Sequence, residues 1–192
     1  MYSKLDIINE MIVSTGARPL LAEQSNHPMY KKASELLTRI EKDVQSIGLW
    51  FNTEIREIEP QADGKILVPN DVMRADPTDR NYDLTLRKRK MWNLKTGAFY
   101  TGDALVLNMV FRVPLEELPV AAQEYIRAKA VYEFYLNEDG AGPKLDHYRN
   151  QRDIGWSKLY REHIRSRQAN IHDNPENTTN RLRRGVKPTR TR

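Results

Sequence analysis

The stretch Pro28-Met29-Tyr30-Lys31-Lys32-Ala33-Ser34-Glu35-Leu36-Leu37-Thr38-Arg39-Ile40-Glu41-Lys42-Asp43-Val44-Gln45-Ser46-Ile47-Gly48 decides the fold. Met29, Ala33, Leu36, Leu37, Ile40, Val44 and Ile47 recur at intervals of three and four, which places them on one face of a helix. Pro28 suits its first turn, and Gly48 ends it. At 1.5 Å per residue such a helix is a rod of about 30 Å. Upstream, residues 3–15 carry the same period in Leu5, Ile8, Met11 and Ile12. Ser3 is placed to cap that helix, Asp6 to return the hydrogen bond, and Gly16 and Pro19 to stop it. Residues 20–27 read as a polar loop.

Downstream the period changes. Leu49-Trp50-Phe51 opens a section punctuated by Pro60, Asp63-Gly64, Pro69-Asn70, Pro77 and Gly97. Gly64–Val68, Tyr82–Arg87, Met91–Asn93 and Ala98–Tyr100 read as short strands, with Lys95-Thr96-Gly97 at a turn. The apolar, β-branched run Ala104–Val113 is long enough for a central strand. The expectation is one antiparallel sheet across residues 50–113.

Helical spacing returns after Pro114 in Ala121, Ala122, Tyr125, Ala128, Tyr132 and Tyr135, up to Gly140-Ala141-Gly142-Pro143. It continues in Leu145, Tyr148, Trp156, Leu159 and His163, and fades near Ala169. The reading is an α+β chain, mainly α: a bundle of about four helices from residues 1–48 and 114–168, with a β-rich lobe of residues 49–113 inserted between its halves. Residues 169–192 are expected to form an extended basic C-terminal arm.

Composition narrows the function. There is no cysteine, so disulfides, thiolate catalysis and cysteine-based zinc sites are excluded. No apolar run approaches the ~20 residues of a membrane-spanning helix, and the first residues lack a secretory layout, so a reducing cytoplasm without membrane insertion is expected. The net charge of +5 is unevenly placed. Residues 150–192 hold 11 Lys/Arg against 4 Asp/Glu, which leaves the rest slightly acidic. A basic segment of this kind contacts nucleic acid or an acidic protein surface.

No catalytic constellation emerges. His27, His147, His163 and His172 have no i, i+4 pair, Gly140-Ala141-Gly142 lacks the strand and third glycine of a dinucleotide loop, and no phosphate loop exists. Asp71, Asp76, Asp79 and Asp83 lack the glycine and alternate spacing of a calcium loop. Asn177-Thr178-Thr179 is an incidental glycosylation match, and no serine sits in a nucleophile elbow. The many carboxylates give no reason to choose an acid–base pair. No cofactor, no metal and no enzymatic activity are expected. Two basic clusters remain. Arg87-Lys88-Arg89-Lys90, between Tyr82 and Trp92, reads first as a solvated turn and second as a phosphate grip. The arm, with Arg181, Arg183, Arg184, Lys187, Arg190 and Arg192 and no acid among them, reads as a contact to a partner protein or DNA.

Several strings, in order, resemble the tail tubular protein A family, the head-to-tail adaptors of short-tailed phages. Ile7-Ile8-Asn9-Glu10-Met11-Ile12 followed by Thr15-Gly16-Ala17-Arg18-Pro19-Leu20 resembles its opening. Val44-Gln45-Ser46-Ile47-Gly48-Leu49-Trp50-Phe51-Asn52 is similar to its Gln-x-x-Gly-Trp-x-Phe-Asn string, with Leu49 displacing the register. Asp63-Gly64-Lys65-Ile66-Leu67-Val68-Pro69, Leu115-Glu116-Glu117-Leu118-Pro119 and Tyr125-Ile126 follow. The resemblance covers roughly residues 5–160.

It implies a structural virion protein at the head-to-tail interface, assembled in the host cytoplasm. It further implies a twelve-membered homo-oligomeric ring between the portal protein and the nozzle protein (tail tubular protein B), with genomic DNA passing through and tail fibres nearby. On this reading Arg165, Arg167 and the arm's Arg181, Arg183, Arg184, Lys187, Arg190 and Arg192 contact portal or DNA. The lobe loops around residues 69–82 and 93–103, with Asn70, Asp71, Arg74, Lys95, Thr96 and Tyr100, face nozzle or fibres. The alternative is a nucleic-acid-binding protein that uses the basic tail directly on DNA phosphates.

Overall fold

Ser3 caps the first helix as its spacing requires: its hydroxyl accepts from the Asp6 N–H at 3.1 Å, and the Asp6 carboxylate accepts from the Ser3 N–H at 3.0 Å. The computed structural model describes residues 2–22 and 27–173. Helix α1 spans Lys4–Ser14 and α2 spans Pro28–Ser46, with proline opening α2 and a left-handed Gly48 (φ +79°) following it. A Cβ at position 48 would lie 3.0 Å from a Val110 methyl group, so glycine serves both the turn and the close approach of the lobe.

Six strands follow: β1 (Thr53–Ile58), β2 (Val72–Pro77), β3 (Leu84–Arg87), β4 (Lys90–Asn93), β5 (Ala98–Phe99) and β6 (Leu105–Phe111). They form two antiparallel sheets rather than one, in the orders β1-β6-β2 and β3-β4-β5. β6 is central, in keeping with its apolar run. Gly64–Val68 is not a ladder strand: only Lys65 and Leu67 bridge, to Thr101 and Lys90, while Ile66 and Val68 are fully buried between the sheets. Its apolar residues are used for packing rather than pairing. β1 and β2 arise in stretches without a strand pattern.

After a short 3-10 turn at Leu115–Glu117 come α3 (Val120–Asp139) and α4 (Leu145–Asp173). The fold is α+β, with the principal core built by Ile7, Ile8, Met11 and Ile12 of α1, Leu37 and Ile40 of α2, and Ala122, Ile126 and Phe134 of α3. α4 packs chiefly on α3. Gly155 permits this, since a Cβ there would lie 3.3 Å from the Tyr125 Cα. The interface is aromatic: Tyr125 meets Trp156, Tyr135 meets Tyr148 (ring centroids 5.1 Å in both), and Arg152 covers Tyr132. These antiparallel pairs bring Val120 level with Arg161 and Arg165, so the last residues of α4 run past the start of α3. The helix reaches Asp173, beyond the 168/169 boundary expected from periodicity. No helix among the described residues is long and apolar enough to cross a membrane.

Candidate interaction surfaces

Two buried amides, Gln45 and Asn52, join the helices to the β lobe, and a third, Gln123, ties α3 to the turn before it and to the residue preceding Ser3. The Gln45 side chain, at the end of α2, makes both hydrogen bonds of the Val113 backbone: Nε2 donates to the carbonyl (3.0 Å) and Oε1 accepts from the N–H (2.8 Å). Asn52 Nδ2 donates to the Gln45 and Phe111 carbonyls, both at 2.9 Å, while its Oδ1 accepts from the Leu49 N–H. Gln123 on α3 donates to the Leu115 and Leu118 carbonyls and accepts from the Tyr2 N–H. Buried backbone groups in irregular segments need such partners, and an amide supplies donor and acceptor together. Sequence reasoning missed this joint. The one available signal was that both of its members lie in the Val44–Asn52 string.

Beside the joint lies Glu41, buried on α2. Burial pushes its carboxyl above the usual range, against the pull of Lys4 and Arg112, whose guanidinium stands 4.0 Å away; Glu116 adds to the rise. Its Oε1 has no hydrogen-bond partner. Among the described residues no three His, Asp or Glu side chains are grouped to hold a metal.

The expected contact residues fall into separate places. Asn70 and Asp71 are exposed in the turn before β2, where the Asp71 carbonyl accepts from the Arg112 N–H at 2.7 Å. Arg74 is tied to the joint, pairing with Asp76 at 3.1 Å and donating to the Ser46 carbonyl at 3.4 Å. Lys95 and Thr96 are exposed at the β4–β5 turn, their N–H groups held by the Asn93 side chain. Tyr100 packs edge-on against Tyr82 at 5.8 Å, and burial, reinforced by Tyr82, raises its hydroxyl above the usual range. Arg74 belongs to the first sheet, and Lys95 and Thr96 to a turn of the second.

Arg165 and Arg167 are exposed on α4, and Arg165 lines a shallow groove with Val120, Glu124, Lys158 and Arg161. Next to them Trp156, Tyr160, His163 and Trp50 make a chain of ring contacts, with Tyr160 48% exposed and Ile164 39% exposed at the following turn. Burial, with Arg167 second, lowers the His163 pKa. Arg181, Arg183, Arg184, Lys187, Arg190 and Arg192 lie outside the described residues.

The family model for the tail tubular protein matches residues 5–171 of this chain. Tail tubular protein A of Klebsiella phage KP34 is 26% identical over 163 residues, which cover 85% of this chain and 88% of that protein. This chain belongs to the tail tubular protein family, whose members are structural components of the phage virion rather than enzymes.

Proposed function

We propose that this chain is the head-to-tail adaptor of a short-tailed phage, forming a twelve-membered ring that links the portal protein to the nozzle protein and surrounds the path of the genomic DNA. The observation that carries this reading is the family match along residues 5–171, which takes in bundle, lobe and α4 together. The structure supports it through its surface. Ile154, Tyr160 and Ile164 on α4 and Ile55 and Val106 on the first sheet are exposed, and exposed aromatic and aliphatic groups suit subunit contacts. On this reading the α4 end, with Arg165, Arg167 and the arm, docks on the portal, and the Asn70–Arg74 and Lys95–Tyr100 segments face nozzle or fibres. Negative-stain images of the purified protein mixed with portal rings test it. Closed rings of twelve are expected, and a chain that stays monomeric alone and with portal refutes the proposal.

Binding of DNA by the basic tail is the second reading, favoured by the exposure of Arg165 and Arg167 beside Arg161 on the projecting helix. Deleting residues 165–192 separates the two: it abolishes portal capture on the first, and DNA affinity on the second.

A further inference from the structure

The four-residue basic run Arg87–Lys90 closes the β3–β4 hairpin. Arg87 pairs with Lys90 in register, so the loop consists of Lys88 and Arg89 alone. Both have positive φ, 48° and 63°. A two-residue hairpin loop demands this backbone, and Asn-Gly is the sequence that adopts it without strain. Here two long cationic side chains occupy it instead, at a cost in folding free energy that such outliers carry when position matters.

The surroundings say what the tip is free to bind. Arg87, Lys88 and Arg89 are exposed, and among the described residues none of them has an ion-pair partner. Asp63, which stands 3.8 Å from Lys90, is already held by Lys65 at 2.8 Å. Arg89 Nε donates to the Val68 carbonyl at 3.1 Å, which anchors the guanidinium through one of its nitrogens and leaves the two terminal ones without an ion-pair partner among the described residues. Arg87 lies over the Trp92 ring at 4.6 Å, and Phe99 meets that ring edge-on at 4.9 Å. Trp92 is therefore not an open platform for an unstacked base, which disfavours single strands. The nearest exposed apolar residues in this sheet, Tyr82 and Leu94, belong to its other end, so the tip lacks the apolar anchor of a protein–protein contact.

We infer that the Arg87–Lys90 hairpin tip is a sequence-independent contact for the phosphate backbone of duplex DNA, separate from the C-terminal tail. The inference rests on the adaptor reading only for the source of the duplex. If the tip fails, the ring count stands; if the chain proves monomeric, the titration below still reads the tip.

The test is anisotropy of a labelled duplex of about 20 base pairs, titrated with the full chain between about 50 and 200 mM salt. Lys88→Asn combined with Arg89→Gly removes two charges and gives the hairpin its preferred turn, which offsets the lost bond from Arg89 Nε to the Val68 carbonyl, and an unchanged urea midpoint shows that weaker binding does not come from a damaged fold. We expect at least tenfold weaker binding at about 100 mM salt and a log–log salt slope shallower by about 1.8, at 0.9 per lost phosphate contact. Lys88→Arg should bind like the parent. Lys31→Gln with Lys42→Gln, exposed on α2 and away from the tip, should keep the parental slope. A double variant with unchanged affinity and slope overturns the assignment, as does a parent chain without measurable affinity at 50 mM salt or an equal loss from the distant control. An equal loss of affinity for a poly-glutamate peptide overturns the choice of nucleic acid in favour of an acidic protein.

Discussion

Twenty buried residues from the helices and their adjoining turns meet in the bundle core, whereas nine line the core between the two sheets. The bundle draws on helices with periodic apolar faces, one of them capped at both ends. The lobe relies on strands of two to seven residues, an edge strand with Ile55 68% exposed, and a hairpin tip strained by two left-handed cationic residues. Local stability follows buried contact, so the lobe is the softer region, held in place by the amide joint.

The largest test of this contrast pairs two truncations. Phe134→Ala should cost about 3–5 kcal/mol and lower the urea midpoint of the whole chain. Met91→Ala should cost about 2–5 kcal/mol, but hydrogen exchange should confine its effect to residues 53–111 while α1–α3 stay protected. If both variants open the same residues, the two regions are one cooperative unit and the contrast fails. Next in size is the joint. Asn52→Ala strands the Leu49 N–H and takes one donor from each of the Phe111 and Gln45 carbonyls, the latter keeping the Gly48 N–H, and should cost about 1–3 kcal/mol by urea denaturation. Lys88→Asn with Arg89→Gly relieves the strained turn but gives up the bond from Arg89 Nε to the Val68 carbonyl, so exchange in β3 and β4 should shift by less than about 1 kcal/mol.

The smallest effect concerns Glu41. Its carboxyl is raised in the folded chain, so the folded state holds the proton more tightly than the unfolded one. Stability should then fall as pH rises from the ordinary glutamate range through the raised value. Glu41→Gln should remove that slope in melts run from pH 4 to pH 8. A parent slope of the opposite sign would show that Arg112 and Lys4, not burial, govern the group.

How much was legible follows the same divide. Helices announce themselves through local chemistry: Ser3 with Asp6, Pro28 and Gly48 each act within a turn, and all sit where the pattern put them. β1 was illegible because residues 54–57 are all exposed, which erases alternation, and β2 because its run carries Arg74, Asp76 and Pro77. Ile66 and Val68 misled in the other direction, since burial between sheets asks for the same side chains as a strand. Two sheets rather than one is a matter of long-range pairing, on which local pattern is silent. Of the expected contact residues, exposure at Arg165, Lys95 and Thr96 agrees with their polar surroundings in sequence, but the anchoring of Arg74 to the end of α2 depends on a partner 28 residues away.

The joint's chemistry has a consequence for the working life of the molecule. Gln45 and Asn52 carry no charge and do not titrate, so neither dilution, salt nor a shift in acidity weakens the bonds they make. A joint built from ion pairs would loosen or tighten with its medium. This one gives the lobe the same bearing on the bundle inside a crowded cell and in open water.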